Sequence, residues 1–192
     1  MKSEAIRHPT SLCVIAIRRN LAAQRHGSFI EGAAVFSVVK CRDWGARFSL
    51  EARSFDETHS RAQIIDGIVQ RMALGATVLS SAQLHPDYPV HRVDGSSPPA
   101  AANELTLIER ARPDIEMLWM PYSPREMAYV TAAYDIGSPM GARIRPPGSQ
   151  AGLEAQALWL YFLWTRCRPK ERNWLASGWE AWRAIERARA LV

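Results

Sequence analysis

The fold of this chain is decided in residues 11–55, which read SLCVIAIRRNLAAQRHGSFIEGAAVFSVVKCRDWGARFSLEARSF. The apolar run at 12–17 is unbroken, as in a strand buried on both faces, and a second apolar run follows at 33–39. Residues 47–55 alternate polar and apolar side chains, which is typical of a strand with one solvent-exposed face. Residues 43–45 (Asp-Trp-Gly) favour a tight hairpin turn, because glycine tolerates positive φ. We therefore expect three consecutive strands arranged as a meander.

The composition is that of an ordinary globular domain. With 192 residues, of which 47% are apolar and 22% charged, the chain is long enough to bury one full core. No apolar run approaches the length that crosses a bilayer, and the N-terminus lacks the apolar segment of a signal peptide. Cys13, Cys41 and Cys167 are widely spaced and odd in number, which favours reduced thiols. We expect a cytoplasmic protein that does not associate with membranes.

After the meander, helical and strand patterns alternate. Apolar residues recur at helical spacing from Ile64 to Met72, and residues 76–80 predict a fourth strand, which a crossover helix makes parallel to a neighbour. Residues 115–119 predict a fifth strand, and residues 123–126 (SPRE) form a capping box that begins another helix. Three residues are candidates to cap the first helix: Asp56, Thr58 and Ser60.

Two long helices close the chain. Residues 150–166 become apolar all round, as in a helix buried on two sides, and another helix is predicted after Pro169. The predicted class is therefore α/β, a five-stranded mixed sheet with helices on both faces. We divide the chain into a flexible arm (1–10), one domain (11–168) and a C-terminal helix packed on that domain (169–192).

The order of these elements resembles the ribonuclease H-like fold and, more narrowly, the proofreading-type 3′–5′ exonucleases, named DEDD for four catalytic acids. Residues 11–20 and 30–35 are similar to that family's first two strands, 61–81 to its first helix and fourth strand, and 152–166 to the helix that carries its last acid. The resemblance spans roughly residues 11–168. It implies a nuclease-like domain that acts on nucleic acid.

The acids that the resemblance implies are largely missing. The family places Asp-x-Glu at the end of the first strand, where this chain has Ala16-Ile17-Arg18. The resemblance leaves Asp87, after the fourth strand, and Glu154, in the long helix, as candidate catalytic residues. Two divalent cations held by carboxylates carry out the family's chemistry. We therefore expect no cofactor, unless the nuclease site is active and binds Mg²⁺ or Mn²⁺.

Arg18 has two interpretations. An arginine at a vacated metal position can meet a phosphate with its planar guanidinium, which turns a cleavage site into a binding site. Alternatively, it is an exposed strand-end residue without a ligand. The net charge of +5 agrees with a polyanionic partner. The candidate nucleic-acid-binding residues are Arg18, Arg19, Arg143, Arg145, Arg166, Arg168 and Lys170.

The tryptophans are concentrated near the C-terminus, at positions Trp159, Trp164, Trp174, Trp179 and Trp182. Interleaved with basic residues, they suggest either a stacking surface for single strands or a face that binds a protein partner. Their helical spacing favours a third interpretation, in which the last two helices pack on each other and on the sheet.

Three functions are compatible with this sequence. The first is a catalytically degenerate, exonuclease-like protein that binds a single-stranded DNA or RNA end or a nucleoprotein complex. The second is a protein-interaction subunit that keeps the fold as a scaffold. The third is an active metal-dependent nuclease with an unusual acid set drawn from Glu51, Asp87, Asp114 and Glu154.

Overall fold

The computed structural model describes residues 8–19, 30–41, 45–81, 102–136 and 145–189. Its elements in chain order are β1 (Ser11–Arg19), β2 (Ile30–Lys40), β3 (Ala46–Ser54), α1 (Arg61–Val69), β4 (Thr77–Ser81), α2 (Ala102–Ala111), β5 (Glu116–Met120), α3 (Pro124–Ala133), α4 (Pro147–Arg166) and α5 (Pro169–Arg189).

The five strands form one mixed sheet in the order β3-β2-β1-β4-β5. The first three pair antiparallel as the predicted meander, and Cys41 N donates to Gly45 O at 2.7 Å where the β2–β3 hairpin closes. β4 runs parallel to β1, and β5 runs parallel to β4. This order and these directions confirm the predicted α/β class with a ribonuclease H-like sheet. The predicted turn falls mostly on residues 42–44, which lie outside the described residues.

Helices cover both faces of the sheet. The odd-numbered residues of β1 from Cys13 to Ile17 pack with α1 and α2, and the even-numbered residues from Leu12 to Ala16 pack with α3, α4 and α5. The continuous apolar run of β1 is therefore explained by burial on both sides. Within the described ranges, no helix combines the length and apolar character needed to cross a membrane.

The first turn of α4 touches the sheet backbone to backbone. A Cβ atom on Gly32 of β2 would lie 2.5 Å from the carbonyl carbon of Pro147. A Cβ atom on Gly148 would lie 2.4 Å from the carbonyl carbon of Arg53. Gly148 N also donates to Ser54 Oγ at 3.0 Å. The two glycines therefore determine how closely α4 approaches β2 and β3. This distance in turn determines the position of every side chain further along the helix.

Most of the C-terminal tryptophans belong to the core. Trp159 on α4 and Trp179 on α5 are 0% exposed, and their ring centroids lie 6.2 Å apart. Trp174 and Trp182 are partly buried against the same cluster. The packing interpretation is confirmed for these four residues. Trp164 differs, with 42% of its surface exposed.

The end of the predicted arm is anchored to this core through His8, which is 2% exposed. Its Nδ1 donates to Pro9 O at 2.7 Å, and its Nε2 accepts from Trp159 Nε1 at 3.0 Å. Lys40 Nζ donates to the His8 carbonyl at 2.6 Å, and the Glu171 carboxylate accepts from His8 N at 3.1 Å. Burial lowers the pKa of His8 to about 4, so the ring is neutral at pH 7. Residues 1–7 lie outside the described residues.

Acidification is expected to destabilise the fold through His8. The imidazole of the unfolded chain takes up a proton near pH 6.5, whereas the folded protein resists protonation until about pH 4. The free energy of unfolding therefore falls as the pH drops through this window, by about 3 kcal/mol for this one group. Urea unfolding of the wild type and of His8→Gln, whose amide does not titrate, measures the difference. Equal pH dependence in the two proteins would contradict the prediction.

Candidate functional site at the carboxyl ends of the parallel strands

The carboxyl ends of β1, β4 and β5 meet at one edge of the sheet. Arg18 lies near the end of β1, Ser81 ends β4, and Tyr122 follows β5 by two residues. Arg18 continues the even-numbered series of β1, so it lies on the face that α4 covers. In open α/β sheets, ligands bind in the crevice outside the carboxyl ends of the strands. This edge is therefore the candidate functional site.

Arg18 forms an ion pair with Glu154 of α4. Its Nη1 lies 3.6 Å from Glu154 Oε2, and the two side chains are 28% and 25% exposed. Burial raises the pKa of the Glu154 carboxyl, and the nearby Arg18 guanidinium opposes that rise. The structure thus brings together a predicted nucleic-acid-binding residue and a predicted catalytic residue that lie far apart in the sequence.

Tyr122 and Ser81 complete the site, and sequence reasoning missed both. The two side chains share a hydrogen bond, and burial together with the charge of Glu154 raises the pKa of the Tyr122 phenol. The Tyr122 ring meets Tyr161 of α4 edge to face, with centroids 6.2 Å apart. The available signal was positional, because each residue follows or ends a parallel strand.

The side chains that the structure describes at this edge do not suit a divalent metal. Mg²⁺ and Mn²⁺ prefer several oxygen ligands, most of them carboxylates, whereas here the Glu154 carboxylate shares the site with a guanidinium that repels cations. Among the residues that the structure describes, no group of three or more His, Cys, Asp or Glu side chains is arranged to hold a metal ion. Asp87, the other candidate catalytic acid, lies outside the described residues.

Glu51, an acid of the unusual nuclease set, lies on the other face of the sheet. It is paired across β2 and β3 with Val35, which belongs to the cluster under α1 and α2. There its carboxylate forms an ion pair with Arg71, just after α1. Glu51 and Glu154 are therefore separated by the sheet itself.

Asp114, another acid of that set, lies at the opposite edge of the sheet from Arg18. It precedes β5, and it accepts from Gly75 N at 2.8 Å and from Arg112 Nε at 2.7 Å. Its hydrogen bond with Arg112 holds the pKa of the Asp114 carboxyl far below its usual range. Asp114 thus joins the starts of β4 and β5, and the described members of the unusual acid set do not converge.

The predicted nucleic-acid-binding residues are spread over the molecule. Arg145 is exposed just before α4. Arg166, which is half-buried, lies at the far end of that helix, about 18 Å from Glu154 along its axis. Arg168 and Lys170 are exposed at the start of α5. Arg143 lies outside the described residues. The set therefore does not form one cluster around Arg18.

Arg19 belongs to a buried ion cluster on the face opposite to Arg18. Its side chain is 10% exposed and pairs with Glu104 of α2, which is 1% exposed. The Nε atom of Arg61, the first residue of α1, lies 2.8 Å from the same Glu104 oxygen. The cluster joins β1, α1 and α2. Sequence reasoning missed Glu104 because nothing local links it to the two arginines.

Comparison with known proteins adds little to this geometry. No protein-family model matches the chain, and no curated protein matches it. Among solved structures, the chain is similar to T. thermophilus RuvC in complex with a Holliday junction substrate, at 10% sequence identity over 79% of this chain and 94% of that chain, with a TM-score of 0.41. A likeness this distant carries no functional argument, so the fold assignment rests on the strand order and directions given above.

Proposed function

We propose that the protein is a nucleic-acid-associated relative of the DEDD exonucleases that binds single-stranded DNA or RNA ends, alone or in a nucleoprotein complex, without cutting them. The observation that carries this proposal is the Arg18–Glu154 ion pair. In the family that the sequence resembles, acids hold metal ions at the end of the first strand. This chain has a guanidinium there instead.

The surroundings of Arg18 support a role in phosphate binding. Its side chain is 28% exposed, and Glu154 at 3.6 Å restricts the orientation of the guanidinium. A planar guanidinium forms paired, charge-assisted hydrogen bonds with phosphate oxygens. The Tyr122 hydroxyl lies close enough to Arg18 and Glu154 for both charges to affect its pKa. It adds a neutral hydrogen-bonding group to the site. The Arg18 guanidinium and the Tyr122 hydroxyl can therefore donate hydrogen bonds to a terminal phosphate without a metal ion.

The scaffold alternative depends on the C-terminal tryptophans, and their burial weakens it. Trp159 and Trp179 are fully buried, so they offer no surface to a protein partner. Exposed aromatic surface at that end of the molecule comes instead from Trp164 and from Tyr129 of α3. The active-nuclease alternative is weakened by the separation of Glu51, Asp114 and Glu154.

Binding to a labelled single-stranded oligonucleotide, followed by fluorescence anisotropy, tests the proposal. Affinity is expected to fall steeply as salt rises, because phosphate contacts release counterions. Arg18→Gln should weaken binding about tenfold, or about 1.4 kcal/mol, and lower the slope of log affinity against log salt by about 0.7. Arg47→Gln is the matched control, because this exposed arginine lies on β3 near the opposite edge of the sheet. It should bind like the wild type.

A nuclease assay with Mg²⁺ or Mn²⁺ tests the degenerate site directly. The end-labelled strand is expected to stay intact. Metal-dependent turnover that Glu154→Gln abolishes would overturn the proposal and establish an active nuclease. If the wild type shows no binding even at low salt, the scaffold function is favoured instead.

A further inference from the structure

A groove of about 510 Å³ runs between α3 and α4. Arg125 and Tyr129 line it from α3, and Tyr161 and Trp164 line it from α4. Tyr129 is 68% exposed and Trp164 is 42% exposed. These two aromatic side chains lie on facing helices and expose much more apolar surface than the buried tryptophans nearby. Exposed apolar surface of this kind is a common feature of binding surfaces.

The Trp164 ring is held in place before any ligand arrives. Its Nε1 donates to Tyr134 Oη at 2.7 Å, and the Arg172 guanidinium lies 4.4 Å from the ring centroid. A ring fixed in this way loses little conformational entropy when a planar group stacks on it. Cation–π contact with Arg172 also places positive charge beside the groove.

The charges around the groove favour an anionic partner. Arg125 lines it and is exposed, and Arg166 is close enough to act on the Tyr161 phenol. The acid in the lining, Glu126, accepts hydrogen bonds from Ser123 N at 2.8 Å and from the Tyr161 hydroxyl, which lower the pKa of its carboxyl and keep it ionised. The guanidinium groups of Arg125, Arg166 and Arg172 outnumber this single negative charge. Exposed aromatic rings flanked by arginines are the combination that binds single-stranded nucleic acid.

Tyr161 connects the groove to the candidate functional site. Tyr161 lines the groove and also meets Tyr122 edge to face at 6.2 Å, and Tyr122 lies beside the Arg18–Glu154 pair. From Glu154 to Trp164, the path along α4 measures about 15 Å, enough for a short run of nucleotides. The groove therefore lies within the reach of a strand whose terminal phosphate meets Arg18.

We infer that the α3–α4 groove binds the single strand that leads away from the Arg18 site, with bases stacked on Tyr129 and Trp164 and a phosphate on Arg125. This inference rests on the proposed function and names the surface along which the bound strand runs. A protein partner is the competing occupant. The cationic rim and the link to the strand-end site favour nucleic acid.

The test uses anisotropy with a labelled oligothymidine of about ten nucleotides, within the span of one single-strand-binding domain. Tyr129→Ala is expected to weaken binding about tenfold or more, because stacking one base on an aromatic ring contributes about 1–3 kcal/mol. Tyr129→Phe keeps the ring and should restore binding. Leu74→Ala is the control, since Leu74 is 87% exposed and lies beside Gly75, away from the groove. Arg125→Gln should weaken binding and reduce its salt dependence.

The outcomes separate the inference from the proposed function. If Arg18→Gln weakens binding but Tyr129→Ala and Arg125→Gln do not, the inference is wrong and the proposed function stands. If Tyr129→Phe is as weak as Tyr129→Ala, stacking is not the interaction and the inference is also overturned. If the wild type does not bind the oligonucleotide, both the inference and the proposed function are wrong.

Discussion

Gly148→Ala is expected to lower the free energy of unfolding by about 3 kcal/mol, the upper end of the cost of overpacking a tight contact. The added methyl would lie 2.4 Å from the carbonyl carbon of Arg53 and 2.6 Å from its oxygen. Both contacts are backbone atoms of β3, so no side-chain rotation relieves them. Gly32→Ala should behave alike, because its methyl would lie 2.5 Å from the carbonyl carbon of Pro147.

The consequences of Gly148→Ala reach the candidate functional site. Glu154 lies about 9 Å further along α4, so a shift of the first turn away from β3 moves its carboxylate relative to Arg18. Urea unfolding measures the stability loss, and oligonucleotide anisotropy measures the effect on binding. The matched control is Gly178→Ala on α5, where the new methyl would lie at an ordinary 3.4 Å from Phe48. That variant should be neutral or stabilised by up to about 1 kcal/mol, since alanine is the better helix former. If Gly148→Ala is as stable as the wild type, the prediction is wrong, because α4 can then move away from β3 at little cost in free energy.

Glu104→Gln is expected to cost about 3–5 kcal/mol, the range for removing one partner of a buried ion pair. Glu104 is 1% exposed and Arg19 is 10% exposed, so the change leaves a guanidinium with little water and no countercharge at Glu104. Arg61 is 47% exposed and can turn to solvent, so Arg61→Gln should cost less than about 1 kcal/mol.

Chemical denaturation of these two variants and of two further ones tests the assignment. Glu109→Gln is the control, because Glu109 lies on the same helix and is exposed. The double variant Arg19→Met/Glu104→Met should recover most of the lost stability, since apolar groups can replace a buried ion pair at little cost in free energy. If Glu104→Gln and Glu109→Gln unfold at the same urea concentration, the buried cluster does not stabilise the fold.

Local patterns were sufficient to predict the elements of the fold. β1 is buried on both faces and therefore has an unbroken apolar run, whereas β3 is buried on one face and alternates polar and apolar residues. Successive side chains of a strand point to opposite faces, so both patterns are visible in the sequence. The capping box at Ser123 is confirmed, with Ser123 Oγ accepting from Glu126 N at 3.2 Å. Of the three possible caps of α1, the structure selects Ser60.

The site was predictable only in part. Glu154 and Arg18 were candidates because the family resemblance pointed to their positions, but their pairing depends on how α4 docks on β1. Tyr122 carried only the positional signal that it follows a predicted strand, and Glu104 carried no local signal. Their roles arise from strand order, which places the end of β5 beside β4 and brings α2 against the end of β1.

The sequence by itself determined the kinds of elements, their order and the α/β class, because hydrophobic period, capping and turn chemistry act over a few neighbouring residues. Only the tertiary structure decided which charges pair and which aromatic rings face water. Arg18 and Arg19 are adjacent in the chain, yet they pair with carboxylates on opposite faces of the sheet. Trp164 and Trp159 share one helix, yet α3, α5 and the sheet bury one of them and leave the other partly exposed. These outcomes depend on contacts between distant segments, which no short stretch of sequence contains.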